Sequence, residues 1–173
     1  MTRRQLPNPP PSSPAVRAVM QANRARDTAP ERSLRKALRE AGLPGYRLNW
    51  RAAPGRPDIS YPGRHVAVFV HGCYWHHCPR CHPNLPRSNP EFWARKFELN
   101  AERDARKRRE LEAAHWVVFE VWECDIRDRL VEAVASIAEA VRGDAAGAVA
   151  GRGDAAGALA GRGDAAVRSV SDA

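Results

Sequence analysis

The sequence predicts an α/β domain with a mixed central sheet flanked by helices. Short β-branched runs alternate with amphipathic helical stretches between residues 27 and 141, a pattern typical of this class. At 173 residues with 43% hydrophobic residues, the chain is long enough for one domain with its own core. No apolar run approaches the roughly 18 residues that a membrane-spanning helix needs.

The first half of the domain is predicted to form one helix and three strands. The stretch 27–42 has polar cap candidates, an early proline, apolar residues at helical spacing and a closing glycine, so it predicts an amphipathic helix. Short strands are predicted over 46–50 and 57–61. A turn then leads into the β-branched run 65–70, which suits a buried strand.

The second half is predicted to form two helices around a further strand. A long charged helix is expected over 90–114, because a Pro-Glu pair opens it and aromatic residues lie near its start. The run 115–122 predicts another buried strand, with Cys124 at its C-terminal edge. A last amphipathic helix is expected over 127–141.

Composition divides the chain into three parts. Residues 1–16 are predicted to form a flexible basic and proline-rich arm without the apolar segment of a secretory signal, and 17–141 the folded domain. Residues 142–173 repeat an Ala/Gly-rich unit and predict a disordered low-complexity tail. The formal net charge is +8, and the arginines and aspartates of the tail balance, so the folded part carries the excess. A basic body of this size suggests nucleic acid as the partner.

Four cysteines predict a structural zinc site. Three lie within the stretch "HGCYWHHCPRCH", and the fourth would tie this loop to the end of a distant strand; the predicted ligands are Cys73, Cys78, Cys81 and Cys124. The spacing leaves open that His77 or His82 replaces one thiolate. It also leaves open a redox pair formed by Cys78 and Cys81, although such pairs usually open a helix and this one contains a proline.

Four motifs in unbroken order resemble those of the very short patch repair (Vsr) DNA mismatch endonucleases. They are "PGRPDI" at 54–59, "VFVHGCYWHHC" at 68–78, "EFWARKFELNAERD" at 91–104 and "VFEVWEC" at 118–124. The resemblance covers about 17–141. Any one of these motifs alone would be weak, whereas four in order are specific to the family.

The resemblance implies a restriction-endonuclease-like fold and a strand-specific nickase. Members of this family cut one strand of double-stranded DNA on the 5′ side of the thymine in a T:G mismatch, the lesion left when 5-methylcytosine deaminates. The family depends on Mg²⁺, carries structural Zn²⁺ and accompanies a cytosine-5 DNA methyltransferase. We therefore expect a DNA repair enzyme that acts as a monomer in the bacterial cytoplasm.

By the same resemblance, Mg²⁺ is held by the carboxylate of Asp58 and the backbone carbonyl of Val70. Many restriction-like nucleases carry a second acid and a lysine on the strand that follows, and the run 65–70 has neither. Relatives commonly have a polar side chain where Val70 stands, so this chain lacks a side-chain hydroxyl there. Taken alone, an Asp after a proline would more often be a turn or cap residue.

The other implied catalytic residues are two histidines and two acids. His76 is predicted to take the proton from the attacking water, since an imidazole titrates near neutral pH. His71 and Asp104 are predicted to form a second pair, in which the carboxylate orients the imidazole near the departing 3′ oxygen. Glu31 is predicted to act through metal-bound water, with simple capping of the first helix as the alternative.

Three apolar side chains are predicted to contact the DNA. By the resemblance, Tyr74 and Trp75 wedge into the duplex beside the mismatch, and Met20 enters from the other side. Opening a step costs a few kcal/mol and is cheapest at a mismatched pair, so such a wedge favours lesions. Packing of the two aromatic rings over the zinc loop is the alternative.

Two other functions share many of these residues. A zinc-stapled DNA-binding protein without catalysis would explain the charge, the cysteines and the aromatics, but not the set of Asp58, His71, His76 and Asp104. A restriction-like nuclease with a different DNA target would share every residue. A nicking assay separates the three.

Overall fold

The computed structural model describes residues 26–84 and 87–143, together with the helical positions 14, 17 and 18. Met20, almost all of the predicted arm and the tail beyond Gly143 lie outside the described residues, so their predicted roles stay predictions. Among the described helices, none combines the length and apolar character that crossing a bilayer requires.

A four-stranded mixed sheet forms the centre of the domain, with strand order β1-β2-β3-β4. β1 pairs with β2 and β2 with β3 in antiparallel fashion, whereas β3 and β4 are parallel. A short 3₁₀ turn at Pro62–Arg64 makes the tight reversal between β2 and β3. The strands are β1 (Arg47–Leu48), β2 (Ile59–Tyr61), β3 (Val66–His71) and β4 (Val117–Trp122).

Four helices in the described ranges flank this sheet: α1 (Ala29–Glu40), α2 (Pro90–Ala113), α3 (Glu123–Asp128) and α4 (Leu130–Arg142). α1 begins with a capping box, in which Thr28 and Glu31 satisfy each other's backbone N–H groups. α2 connects the two parallel strands, since parallel neighbours need a long crossover. The mixed α/β fold with flanking helices is confirmed.

The last helical segment differs from the prediction. Cys124 does not lie at a strand edge, because α3 begins at Glu123, directly after β4. The buried carboxylate of Asp125 accepts a hydrogen bond from the Trp122 N–H at 3.0 Å and so anchors the start of this helix. Arg129 has a non-helical backbone and separates α3 from α4, while its side chain reaches back to Asp125 at 2.6 Å.

Alternating side chains of β3 point to two different cores. Val66 and Val68 are fully buried in a cluster with residues of α1 and α4. Ala67 and Phe69 lie on the opposite face, in a cluster with Leu111 of α2. β3 is thus covered on both faces, as a central strand should be. β4 is one of the two edge strands of the described sheet, and most of its residues are only half-buried, whereas the sequence predicts a buried strand.

Candidate active site and metal centre

The parallel pairing of β3 and β4 brings two distant chain segments to one edge of the sheet. His71, the last residue of β3, pairs with Trp122, the last residue of β4. The cysteine-rich loop leaves β3 at this edge, and α3 starts there. The loop and α3 therefore meet although about fifty residues separate them along the chain.

The four cysteines form one cluster at this meeting point. Their sulfur atoms all lie within 4.8 Å of one another, and none of them forms a disulfide. The Sγ–Sγ distances are 3.8 Å between Cys78 and Cys124 and 3.7 Å between Cys73 and Cys81. Four thiolates about 2.3 Å from a tetrahedral zinc ion lie about 3.8 Å apart. The donor set and its spacing fit structural zinc.

Contacts around the cluster hold the loop to α3. The backbone N–H of Cys124 points at the sulfur of Cys73 at 3.3 Å, and the N–H of Cys73 donates to Glu123 at 3.2 Å. Arg80, between the last two cysteines of the loop, forms an ion pair with Asp125. His77 and His82 are exposed and are not part of the sulfur cluster, so the alternative of a histidine ligand is not supported.

The protein environment acts differently on the thiols of this cluster. Burial raises the pKa of Cys73 to about 11, and it raises the pKa of Cys124 as well. Burial acts in the same direction on Cys78, but backbone N–H groups of Cys81 and Arg80 outweigh it and lower the pKa of Cys78. Divalent metal provides the positive charge that four clustered thiolates need.

Asp58 lies immediately before β2, where the loop that starts at Gly55 ends. The N–H of Val70 donates a hydrogen bond to Oδ2 of Asp58 at 2.8 Å. The two residues predicted to bind Mg²⁺ are therefore in direct contact. Burial raises the pKa of Asp58, and the charge of Glu31 adds to the increase. A buried carboxylate beside another acid favours a cation, and carboxylate and carbonyl oxygens are ligands that Mg²⁺ prefers.

Glu31 caps the first helix and also acts electrostatically on Asp58. Its carboxylate accepts hydrogen bonds from the Asp27 N–H at 3.0 Å and the Thr28 hydroxyl at 2.9 Å, which is the capping function. It is also buried, and its charge acts on Asp58. The capping contacts therefore fix an acid near the predicted metal ligand.

The histidines pair differently from the prediction. Asp104 of α2 contacts Nδ1 of His76 at 2.6 Å, whereas the acid that faces the Nε2 of His71 is Glu120, at 4.0 Å. The imidazole rings of His71 and His76 are adjacent, with centroids 4.4 Å apart. Burial would raise the pKa of Asp104, but the His76 hydrogen bond and the nearby cations outweigh it and lower that pKa. Asp104 thus orients His76 and not His71.

Tyr74 and Trp75 pack beside the start of α2. The Tyr74 ring contacts Trp93 and Phe97 edge-on at 5.9 and 6.0 Å, and Trp75 lies 6.1 Å from Trp93. The side-chain amide of Asn100 donates to the Trp75 carbonyl at 2.9 Å. Both aromatic rings remain partly exposed, so they do not belong to the hydrophobic core, although neighbouring rings pack against them. They form a supported, partly open surface next to His76.

One face of α2 carries most of these contacts, and it includes residues that the motif analysis missed. The face consists of Trp93, Phe97, Asn100, Asp104, Lys107 and Leu111, each three or four residues after the one before. That spacing is a helical signal visible in the sequence. Two basic residues beside the carboxylate of Asp104 were also missed: Arg103, whose Nε lies 3.4 Å from Oδ1, and Lys107, whose Nζ lies 4.0 Å from it. Glu120 was also missed, because it lies in a strand predicted to be wholly buried.

Comparisons with known proteins agree with these features. A family model for the DNA mismatch endonuclease Vsr matches residues 13–82. The type II nicking enzyme V.XorIIP of Xanthomonas oryzae pv. oryzae is 40% identical over 112 residues, which span 65% of this chain and 82% of that protein. The type II nicking enzyme V.NaeI of Lentzea aerocolonigenes is 39% identical over 127 residues, spanning 70% of this chain and 74% of that protein.

The DNA mismatch endonuclease Vsr of Escherichia coli is 39% identical over 110 residues, which span 64% of this chain and 70% of that protein. Similarity at this level over most of each relative, together with the four motifs and the site built from them, identifies the family. The chain belongs to the Vsr family of DNA mismatch endonucleases and is a DNA nicking endonuclease of that family.

Proposed function

We propose that this protein nicks one DNA strand on the 5′ side of the thymine in T:G mismatches and so starts the repair of deaminated 5-methylcytosine. The observation that carries the proposal is the continuity of one loop: Trp75, part of the open aromatic surface, is followed directly by His76, which is hydrogen-bonded to Asp104. An aromatic pair that opens a mismatched step would then bring the neighbouring phosphate to the imidazole.

In this proposal His76 is the general base. Asp104 faces Nδ1 and holds that nitrogen, which leaves Nε2 to accept a proton from the attacking water. The lowered pKa of Asp104, maintained by the His76 hydrogen bond against burial, keeps the carboxylate ionised at neutral pH and stabilises the imidazolium that forms. His71, which lies next to His76 and opposite Glu120, would serve the departing 3′ oxygen.

Asp58 and the carbonyl of Val70 would hold Mg²⁺, which when bound offsets negative charge on the phosphate oxygens. The hydrogen bond from the Val70 N–H fixes one carboxylate oxygen of Asp58, so this side chain is oriented before any metal arrives. Glu31, buried and anchored by its cap, adds negative charge at the same place.

A second candidate function has its own support. Two of the relatives named above are called type II nicking enzymes, so a Vsr-type nickase with a different DNA target fits the same residues. For the mismatch nickase, a cytosine-5 DNA methyltransferase is the functional partner that we propose, since its product is the source of the lesion.

A nicking assay tests the proposal. End-labelled T:G, T:A and C:G duplexes are incubated with the protein and Mg²⁺, and we expect one nick, 5′ of the mismatched thymine, in the T:G duplex only. Cleavage of T:A or C:G duplexes at a fixed sequence would favour the second candidate, and binding without any cleavage would favour a non-catalytic DNA-binding protein.

Two substitutions connect this activity to the site. Asp58→Ala and His76→Ala should abolish Mg²⁺-dependent nicking and leave mismatch binding largely intact, because both act on the phosphate chemistry. His82→Asn is the matched control: His82 is an exposed loop histidine outside the sulfur cluster, and asparagine tolerates its left-handed backbone. Near wild-type turnover by both site variants would mean that the chemistry is elsewhere.

A further inference from the structure

We propose that Lys107 is a further catalytic residue, whose ammonium group contacts the scissile phosphate and stabilises the charge that develops during nicking. The inference rests on the proposed phosphodiester chemistry of this site. It adds a cation that β3 does not provide, since this strand carries neither a lysine nor an acid.

Lys107 reaches the site from α2, on the same face as Asp104. Its Nζ lies 4.0 Å from Oδ1 of Asp104, one helical turn earlier, and 5.5 Å from the centre of the Phe69 ring on β3. The side chain is 29% exposed. The ammonium is therefore partly enclosed between α2 and the sheet. Arg103 of the same helix also contacts Asp104, at 3.4 Å, but its side chain is more exposed, at 39%.

The loop that carries Asp58 packs directly on the stem of Lys107. Gly55 has a φ of +69°, and a Cβ at this position would lie 2.8 Å from the Cβ of Lys107. Only a glycine permits this approach, both for space and for backbone conformation. The stem thus lies where the Gly55–Asp58 segment turns toward the sheet, so the positions of Lys107 and Asp58 are coupled by packing.

The ammonium group has incomplete compensation for its burial. Its ion pair within the described part of the chain is the 4.0 Å contact with Asp104, and that carboxylate is already bonded to His76 at 2.6 Å. Burial lowers the pKa of Lys107, while the charges of Asp104 and Asp58 oppose the decrease. A buried charge of this kind is stabilised by an additional partner of opposite sign.

A phosphate that enters between Asp58 and His76 would be that partner. Phosphodiester hydrolysis builds negative charge on the phosphate oxygens, and lysine clamps are among the groups that stabilise such charge. The carboxylates of Asp58 and Asp104 keep the ammonium at the site before DNA binds. Lys107 would then act together with His76, which handles the proton, and Asp58, which holds the metal.

The test compares Lys107→Met with Lys107→Arg on whichever duplex the wild type nicks. Methionine keeps the unbranched stem against Gly55 and Phe69 but removes the charge. We expect Lys107→Met to lower the single-turnover nicking rate by about a hundredfold or more, as for loss of one charge-stabilising donor. Its Kd for uncleaved duplex should change only a few-fold, and Lys107→Arg should recover a substantial part of the rate.

Arg106→Met is the matched control, because it removes one positive charge from the next residue of α2, where Arg106 is exposed and paired with Glu110. We expect its nicking rate to stay within a few-fold of wild type. A Lys107→Met protein that folds and nicks at the control rate would overturn the proposal and leave Lys107 a packing residue. If Lys107→Met fails to fold, Lys107→Gln provides the same comparison.

A double-mutant cycle with Asp104→Asn separates direct phosphate contact from an effect through Asp104. If Lys107 contacts the phosphate, the double variant should be slower than Asp104→Asn alone. Equal rates would assign Lys107 to the positioning of Asp104 and refute the contact. Every rate is measured on the duplex that the wild type nicks and is compared with the wild-type rate. The result therefore stays valid even if the nicked duplex contains no T:G mismatch.

Discussion

Asp58 is held in an environment that disfavours its charge when no metal is bound. Burial raises its pKa above 3.8, and the nearby charge of Glu31 raises it further, although the Val70 N–H acts in the opposite direction. A carboxyl group whose pKa is higher in the folded than in the unfolded chain stabilises the fold only at low pH. That contribution is lost as pH rises through the folded-state pKa, so at neutral pH the carboxylate costs stability.

We therefore predict that Asp58→Asn raises the Tm of the protein in buffer without Mg²⁺ at neutral pH. Asparagine keeps an acceptor for the Val70 N–H and removes the buried charge. Calorimetry across pH checks the sign, because the gain should shrink as pH falls through the raised pKa of Asp58, where the carboxyl group takes up its proton. Added Mg²⁺ should stabilise the wild type and have little effect on the variant.

Asp128→Asn is the control for this prediction. Asp128 is exposed and its pKa is lowered by Arg127, so its substitution should bring no comparable increase in Tm. A lower Tm for Asp58→Asn than for wild type would show that the carboxylate is compensated within the protein.

At the level of elements, α2 links the aromatic surface to the proposed catalytic residues. Trp93 and Phe97 support Tyr74, Asn100 holds the backbone of Trp75, and Asp104 holds His76. These contacts follow one face of the helix in order. If the Tyr74 and Trp75 side chains move, we therefore expect α2 to transmit the movement to the imidazole of His76.

From this arrangement we predict that Trp75→Ala narrows the preference for T:G over T:A duplexes by roughly tenfold or more, since base–aromatic stacking contributes about 1 to 3 kcal/mol. Affinities for both duplexes measured over a salt series check it. The slope of log affinity against log salt should stay nearly unchanged, because it reports phosphate contacts.

Trp50→Ala serves as the matched control, because Trp50 packs against Trp116 in the second core cluster and not against the loop. It should leave the T:G preference intact. If Trp75→Ala kept the preference but lowered zinc content or thermal stability, the aromatic pair would be packing for the metal loop.

Elements that depend on local pattern were predictable, and those that depend on tertiary partners were not. Helical spacing and β-branched runs predict α1, α2 and the two longer strands to within a few residues. The interruption of the helix at Arg129 was not predicted, because it depends on the ion pairs that Asp125 forms with Arg80 and Arg129. No sequence periodicity encodes that contact.

The same distinction applies to the site. Cysteine spacing predicts the four sulfur ligands because donor type and number are chemical requirements of the metal. The direct contact between Asp104 and His76 was not predicted, because His71 ends a strand whereas His76 lies in the following loop, and only the folded loop decides which ring contacts Asp104 directly. A ring nitrogen of His71 still lies within 4.8 Å of the same carboxylate. Lys107 was overlooked since one lysine in a basic helix has no local signature.

For the whole molecule, the four-cysteine cluster connects the cysteine-rich loop to α3. We predict about one zinc per purified chain, resistant to mild chelation, with all four thiols protected from alkylation until the protein is denatured. Metal analysis and mass spectrometry after alkylation check this. A zinc-free protein with a reversible Cys78–Cys81 disulfide would favour the redox alternative instead.

The order of the zinc ligands along the chain also bears on protein synthesis. β3 and three of the cysteines leave the ribosome well before β4 and Cys124, and α2 with Asp104 lies between them. The loop with His76 therefore has neither its fourth sulfur nor its neighbouring strand until the last part of the domain emerges. We therefore expect that a nascent chain which already carries Asp58 and His76 completes its candidate site only after β4 and Cys124 have emerged.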